Sequence, residues 1–411
     1  MALTALRRGQ PLFQKLAFNS HGTTQQCMKS ATGSKTYLST NASPAVPSDD
    51  FSHLLTEMPA RILPLMYDYL TPQPSHLLNV SLADFFPSST QPGLSEPSYV
   101  HNAPVLPSIA KPLNLPPAHH LIYFPPQVPA SQLLPDGTDT LHFPGEPFVR
   151  RLWTGGHVRF NHGHSSHAPG SSHSNNTPLL LDGHRAVCLE GIRDVTIKGQ
   201  PGAEKVLVGI ERRIARCGEP EHEPESAIRS RLWPADEAEM GDASIVERRN
   251  LVFMRAQSAD EAAAAADAPG KIIRAPNKPT FTHTLRPTAS LLFRFSALTF
   301  NAHAIHLSRS YTRAVEGHRN MLVHGPLTLV LLTTLLERHL ASSSSSVVST
   351  SKQKYAITDI QYRNVSPLYC DEELRLCGRE SHSKPGRYEL WAENKDGGLA
   401  VKGSATVEFL S

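Results

Sequence analysis

The first 48 residues contain no aspartate and no glutamate. They do contain Arg7, Arg8, Lys15, Lys29 and Lys35, with many Ser and Thr. Arg7, Arg8 and Lys15 alternate with Leu3, Leu6, Leu12, Phe13, Leu16 and Phe18, a spacing that makes a short basic amphipathic helix. Basic, Ser-rich and acid-free is the composition of a mitochondrial transit peptide, and the expected address is the matrix. A secretory signal needs one apolar run, which these charges interrupt.

Long apolar runs are missing elsewhere too. A membrane-spanning helix needs ~18 or more apolar residues in a row. The nearest approach, 327–336, holds three threonines and runs into Glu337, Arg338 and His339. It reads as a buried core helix. Cysteines are few, at 27, 188, 217, 370 and 377, and none form a Cys-x-x-Cys pair. An odd, irregular set excludes a disulfide framework and a zinc knuckle, and favours a reducing compartment. The formal net charge is only +3, with no basic stripe, so no nucleic-acid partner is expected.

What the chain has is proline, 34 residues of it, and Ser-rich tracts, which predict long loops between folded elements. Residues 51–70 have helical apolar spacing interrupted by Pro59 and Pro64. Residues 71–118 are Pro- and Ser-rich and are expected to run over the surface. Strand-like runs are read at 148–160, 186–197, 204–215 and 245–254. Residues 161–178 are low-complexity and predict a flexible insertion, so His157, His162, His164, His167 and His173 are not read as a metal site. The Ala-rich acidic stretch within 256–278 is the candidate linker. Residues 279–300 read as strand or extended chain. A Leu-rich helix follows over 326–340, with Pro326 at its first position. Strands are expected near 354–363, 373–379, 386–393 and 398–409. The domains so read are a leader 1–48, an N-terminal unit 51–255, a linker 256–278 and a C-terminal unit 279–411.

The chemistry concentrates in 293–325. Asn301, His303 and His306 lie close together between an apolar stretch and a basic, aromatic-containing loop. An imidazole with a near-neutral pKa is a natural proton acceptor, which makes His306 the candidate base. Asn301 cannot ionise, but it can orient a water or a hydroxyl. Gly325 opens the Leu-rich helix, whose amino terminus offers unpaired N–H groups to an oxyanion. One base, one oxyanion site and one polar group suit the dehydration of a 3-hydroxyacyl thioester. His303, Arg309, Tyr311 and His324 are assigned to substrate binding. Structural alternatives stay open: His306 as a satisfied structural histidine, Asn301 capping the loop, Gly325 as a plain helix-start glycine, His303 packed beneath the loop, and His324 supporting the turn. Arg309 or Arg313 is the candidate partner for a second carboxylate on the substrate. Arg150, Arg151 and Arg159 either meet phosphates of a coenzyme or carrier arm or are solvated strand residues.

The segment FSALTFNAHAIH, followed by SRSYTRAVEG and LVHGPL, resembles the hydratase-2 signature of MaoC-like enzymes. That signature is an Asp, then Asn-Pro-x-His. Here Asn301 stands at the Asp position, His303 at the Asn, Ala304 at the Pro and His306 at the catalytic His. The resemblance is greatest to the branch of mitochondrial hydroxyacyl-thioester dehydratase type 2 and mesaconyl-CoA hydratase-like proteins. HHLIYFPP (119–126), Asp136-Gly137, RRLWTGGHVRF (150–160) and DVTIKGQPG (194–202) resemble its first half in the same order. The resemblance implies an α+β double hot-dog, two curved antiparallel sheets each wrapped around a central helix, as a monomer or homodimer. It implies a hydro-lyase acting on acyl-CoA or acyl carrier protein thioesters. The substrate is then either the 3-hydroxyacyl intermediate of mitochondrial fatty acid synthesis or a dicarboxylic acyl-CoA such as mesaconyl-CoA. No metal or redox cofactor is implied; coenzyme A or phosphopantetheine arrives with the substrate. The Asn at 301 keeps a non-catalytic thioester-binding module as the alternative.

Overall fold

The computed structural model describes residues 50–87, 105–162, 178–219, 221–268, 272–344 and 355–409. The expected leader 1–48 and most of the expected insertion 161–178 lie outside the described residues.

Ten strands form one antiparallel sheet. The first five are β1 (Met66–Tyr69), β2 (Arg150–Phe160), β3 (Arg185–Lys198), β4 (Lys205–Arg216) and β5 (Ile245–Met254). The second five are β6 (Phe281–Leu285), β7 (Tyr355–Asn364), β8 (Leu374–Glu380), β9 (Arg387–Glu393) and β10 (Leu399–Phe409). Their order is β1-β3-β4-β5-β2-β7-β10-β9-β8-β6. Read inward from either edge, each half has its first strand outermost, then its third, fourth and fifth, with its second in the middle of the sheet. The two halves share one topology, although their sequences show no repeat. They join where β2 pairs with β7, from Gly155 opposite Arg363 to Arg159 opposite Asp359.

The helices are α1 (Leu54–Glu57), α2 (Pro72–Leu82), α3 (Glu225–Leu232), α4 (Ala259–Asp267), α5 (Ala289–Leu298), α6 (Arg309–Ala314) and α7 (Gly325–Ser344). The longest, α7, packs against β2, β6, β7, β8 and β9. It is apolar on nearly every side, with Leu327, Leu329, Val330, Leu331, Leu332, Leu335 and Leu336 all buried. A helix apolar all round belongs inside a protein. Each such leucine contributes about 1.5–3 kcal/mol by leaving water. No described helix is long and apolar enough to cross a membrane. Each half thus places a helix, α2 or α7, between its first and second strands. The fold is the double hot-dog.

Two expectations need correction. Residues 71–118 are not all surface chain, because α2 occupies 72–82 and packs on α5 with Leu78 fully buried. Pro72 is the first helical residue, where proline's missing N–H costs nothing. Residues 279–300 are extended only through β6. Thr288 then caps α5 by accepting the Leu291 amide, and Leu291, Leu292, Phe295 and Ser296 form its buried face. That three-and-four spacing is helical, although the alternation FRF looks like a strand. The 256–278 stretch holds α4, started by a capping box between Ser258 and Glu261 and packed on α6.

Candidate active site

Helix α5 ends in a way that aims the next segment. Thr299 closes the helix and Phe300 turns left-handed at φ 52°. Phe300 N–H then donates to Ala297 O (3.3 Å) and Asn301 N–H to Ser296 O (2.8 Å), a Schellman ending. Glycine usually occupies that left-handed position, and a phenylalanine there costs about 1–2 kcal/mol. The Phe300 ring is exposed on the wall of a large cavity. Asn301 Oδ1 accepts the His303 amide (3.0 Å), making a tight turn. A short 3-10 helix, 304–306, follows and buries His306.

His306 Nδ1 lies 2.8 Å from Leu322 O. A carbonyl only accepts, so Nδ1 carries the proton and Nε2 keeps its lone pair. The His324 ring stacks on His306, centroids 3.6 Å apart, and its Nε2 meets Ser296 Oγ at 2.9 Å. Burial drives the His306 pKa down to about 4, only partly offset by the Leu322 carbonyl, so the imidazole is neutral at ordinary pH. Burial also holds His303 and His324 well below the usual imidazole range, each pushed further by His306. Gly325 begins α7 directly after His324. A Cβ there would stand 2.9 Å from Asn364 Nδ2 and 3.3 Å from Trp153 Cγ, so glycine is what lets the helix start sit this close to β2 and β7.

These groups open into one cavity of about 740 Å³ between the two halves. Asn301, His303, His306, His324 and Gly325 all line it. Two assigned residues do not. Arg309 is exposed at the start of α6. Tyr311 packs with Ile305, Leu322 and Tyr369 and donates its hydroxyl to Glu316 (3.2 Å). The turn after the 3-10 helix carries both away from the cavity wall. Arg313 pairs with Asp267 at the surface. Of the three β2 arginines, Arg150 is held by Glu316 (2.9 Å) and Gln257 (2.9 Å), and Arg159 by the carbonyls of Glu237 and Ala238. Only Arg151 lines the cavity, paired with Asp139 (3.1 Å). His157 pairs with Asp359 across the β2–β7 join, and His162 meets the Ile357 carbonyl at 2.9 Å.

The N-terminal half supplies wall residues that sequence reasoning passed over. Glu190, Arg212 and Arg249 face the cavity from β3, β4 and β5. Arg212 Nε meets Glu190 at 3.0 Å, and Arg249 Nε donates to Glu247 at 2.7 Å. Trp153 stands between the start of α7 and the Arg249 guanidinium, whose carbon is 4.9 Å from the indole centre. Asp136 also reaches the site. Its carbonyl accepts the Ala304 amide (2.8 Å), and its carboxylate faces His303 at 3.4 Å. The Asp136-Gly137 pair was visible in the sequence; its contact with residues 301–304 was not.

A neutral histidine, a helix amino terminus and a carboxamide thus surround one cavity in a double hot-dog. The comparisons with known proteins give its family. Residues 118–370 match the hydroxyacyl-thioester dehydratase type 2 family. The chain is 32% identical over 298 residues to mesaconyl-C(4)-CoA hydratase of Chloroflexus aurantiacus, covering 72% of this chain and 84% of that one. It is 27% identical to a mitochondrial hydroxyacyl-thioester dehydratase type 2 of Schizosaccharomyces pombe, covering 66% and 80%. Among solved structures, a MaoC-like dehydratase from Phytophthora capsici aligns over 86% of this chain and 99% of its own, at 11% identity and a TM-score of 0.48. The chain belongs to the hydroxyacyl-thioester dehydratase type 2 family, and so to the hydro-lyases.

Proposed function

We propose that this protein interconverts 3-hydroxyacyl and 2-enoyl thioesters, with His306 as the base. The observation that carries the reading is the His306 ring, its Nδ1 tied to Leu322 O, on the wall of a cavity that Gly325, the first residue of α7, also lines. In dehydration, Nε2 takes the proton from C2 and negative charge grows on the thioester oxygen. The Gly325 N–H and the helix dipole stabilise that charge. The C3–O bond breaks, and the hydroxyl leaves with the proton to form water. Asn301 holds the departing oxygen. Hydration is the reverse. The steps balance with protein groups and water, so the reading calls on no metal or redox group, and the coenzyme or carrier arm belongs to the substrate.

Two carriers and two acyl classes fit this reaction. The acid-free first 48 residues and the mitochondrial relative support a matrix role on 3-hydroxyacyl intermediates of fatty acid synthesis, with a leader peptide removed on import. A second reading, a short dicarboxylic enoyl-CoA, is favoured by Arg249. That side chain is largely buried, is fixed through Nε to Glu247, and has no partner among the described residues for its two terminal amino groups. A guanidinium fork so held suits a carboxylate. Both halves of the site come from one chain, which supports the monomer over the homodimer as the active form.

The reaction class is tested in heavy-oxygen water with crotonyl-CoA. The account expects one heavy oxygen in the 3-hydroxyacyl-CoA product. Label appearing instead in a free acid would make the protein a thioesterase and contradict the reading.

A further inference from the structure

Hydration needs more than a base. The attacking water has two O–H bonds and gives up one proton. The other O–H must be accepted by something that points the oxygen at C3. Asn301 Nδ2 donates and can hold the water oxygen, but it cannot take an O–H, and one of the two lone pairs of Oδ1 is already committed to the His303 amide.

His303 is better placed. It is buried on the cavity wall, and its Nε2 faces Asp136 Oδ2 at 3.4 Å. Both atoms are buried and have no hydrogen-bond partner among the described residues. The gap is a few tenths of an ångström beyond an ordinary hydrogen bond, so a small closure satisfies both. The Asp136 side chain is held for this contact. Its Oδ1 accepts the Thr138 amide (2.9 Å) and the Thr138 hydroxyl (2.6 Å), leaving Oδ2 to His303. The two loops are in backbone contact as well. Gly137 has φ 83°, and a Cβ there would fall 2.2 Å from Ala302 O. Asp136 is therefore fixed to the motif loop although it belongs to the other half of the chain.

We propose that Asp136 accepts the Nε2–H of His303, fixing the tautomer with its lone pair on Nδ1, and that His303 Nδ1 and His306 Nε2 together grip the attacking water by its two O–H bonds. The rings stand nearly perpendicular with centroids 5.7 Å apart, a separation suited to one bridging water. The step balances. The water oxygen bonds to C3 as one proton passes to His306 Nε2. The C2–C3 π pair moves toward the thioester oxygen. His306 then returns the proton to C2, and the second O–H remains as the product hydroxyl. His303 never ionises, in keeping with the burial and the nearby His306 and Arg151 that disfavour its cation. The groups facing it are Asp136 from the loop before β2, Arg151 on β2, His306 on the 3-10 helix and His324 before α7. His303 is then a water-contacting catalytic residue and Asp136 a positioning residue.

This rests on the reading of the site as a water-adding centre, but its test has its own readout. The full chain is labelled with heavy-nitrogen histidine, and the His303 tautomer is read by NMR, assigned by the signal lost in His303→Gln. The proton is expected on Nε2 in the wild type. In Asp136→Ala the tautomer population should shift toward Nδ1–H, and crotonyl-CoA hydration should fall about 100-fold in kcat with little change in KM. Asp136→Glu should recover part of both. A wild-type His303 protonated on Nδ1 overturns the proposal, even if Asp136→Ala does not fold. So does an Asp136→Ala protein that hydrates at the wild-type rate. If the wild type hydrates no enoyl thioester, the functional reading fails, while the tautomer still reports on the pair.

Discussion

At the scale of single residues, the site is a cluster of imidazoles kept neutral by burial. His306 and His318 are both held near pKa 4, and His303 and His324 lie well below their usual range. An unfolded histidine titrates near pH ~6.5. These folded values are depressed, so the unfolded chain binds the extra protons. The stability they contribute is fully present above about pH 6.5 and is lost as pH falls from there toward about 4. Each such group can cost up to about 1.4 kcal/mol per pH unit across that window. We expect the urea midpoint to decline steadily from about pH 6.5 to 4, with activity persisting below the usual histidine pKa. A midpoint that stays flat across the window would contradict neutral buried imidazoles. The same scale explains what was readable. Asn301, His303, His306, His324 and Gly325 sit within one short stretch of chain, so the sequence displays them together. Asp136 and Arg249 are far away in sequence, and only the β2–β7 join and the loop contact at Gly137 bring them in.

At the scale of elements, the strands were legible where alternation and β-branched residues coincide, as in β3, β4, β5 and the last four strands. Helix α7 was legible because seven of the ten residues 327–336 are Leu or Val and charge ends the stretch. Several helices were hidden, and two of them, α2 and α5, for different reasons. In α2 the prolines at 72 and 74 suggested loop, yet both fall in the first turn, where no intrahelical N–H bond is lost. In α5 the aromatic alternation around Arg294 suggested a strand, while the Thr288 cap and the buried face at 291, 292, 295 and 296 favour a helix. The error at α5 had a functional cost, because the Schellman ending of that helix is what delivers Asn301 and the motif loop to the cavity. A helix start, rather than a helix ending, explains Arg309 and Tyr311. The short helix α6 leads off from the site, with Ser308 capping it by accepting the Tyr311 amide.

At the scale of the molecule, two topologically equal halves do unequal work. The C-terminal half brings His306, the proposed base, and the α7 amino terminus. The N-terminal half brings Asp136 and a wall of paired charges in which the Arg249 terminal amino groups have no hydrogen-bond partner among the described residues. That wall bears on substrate choice. A neutral chain gains nothing from a buried guanidinium fork, whereas a second carboxylate gains a charge-assisted pair of hydrogen bonds. In Arg249→Met, the ratio of mesaconyl-CoA to crotonyl-CoA turnover should fall at least about tenfold. An unchanged ratio would remove Arg249 from substrate selection and return the choice to the monocarboxylic acyl carriers.

The central claim is that His306 is the base of a water-adding site. The most direct measurement compares wild type and His306→Ala with crotonyl-CoA, following the enoyl-thioester absorbance. The account predicts loss of absorbance with the wild type and a rate about 100- to 10,000-fold lower in the variant, with an unchanged folded signal by circular dichroism. A variant that still hydrates at a rate close to the wild type would contradict it.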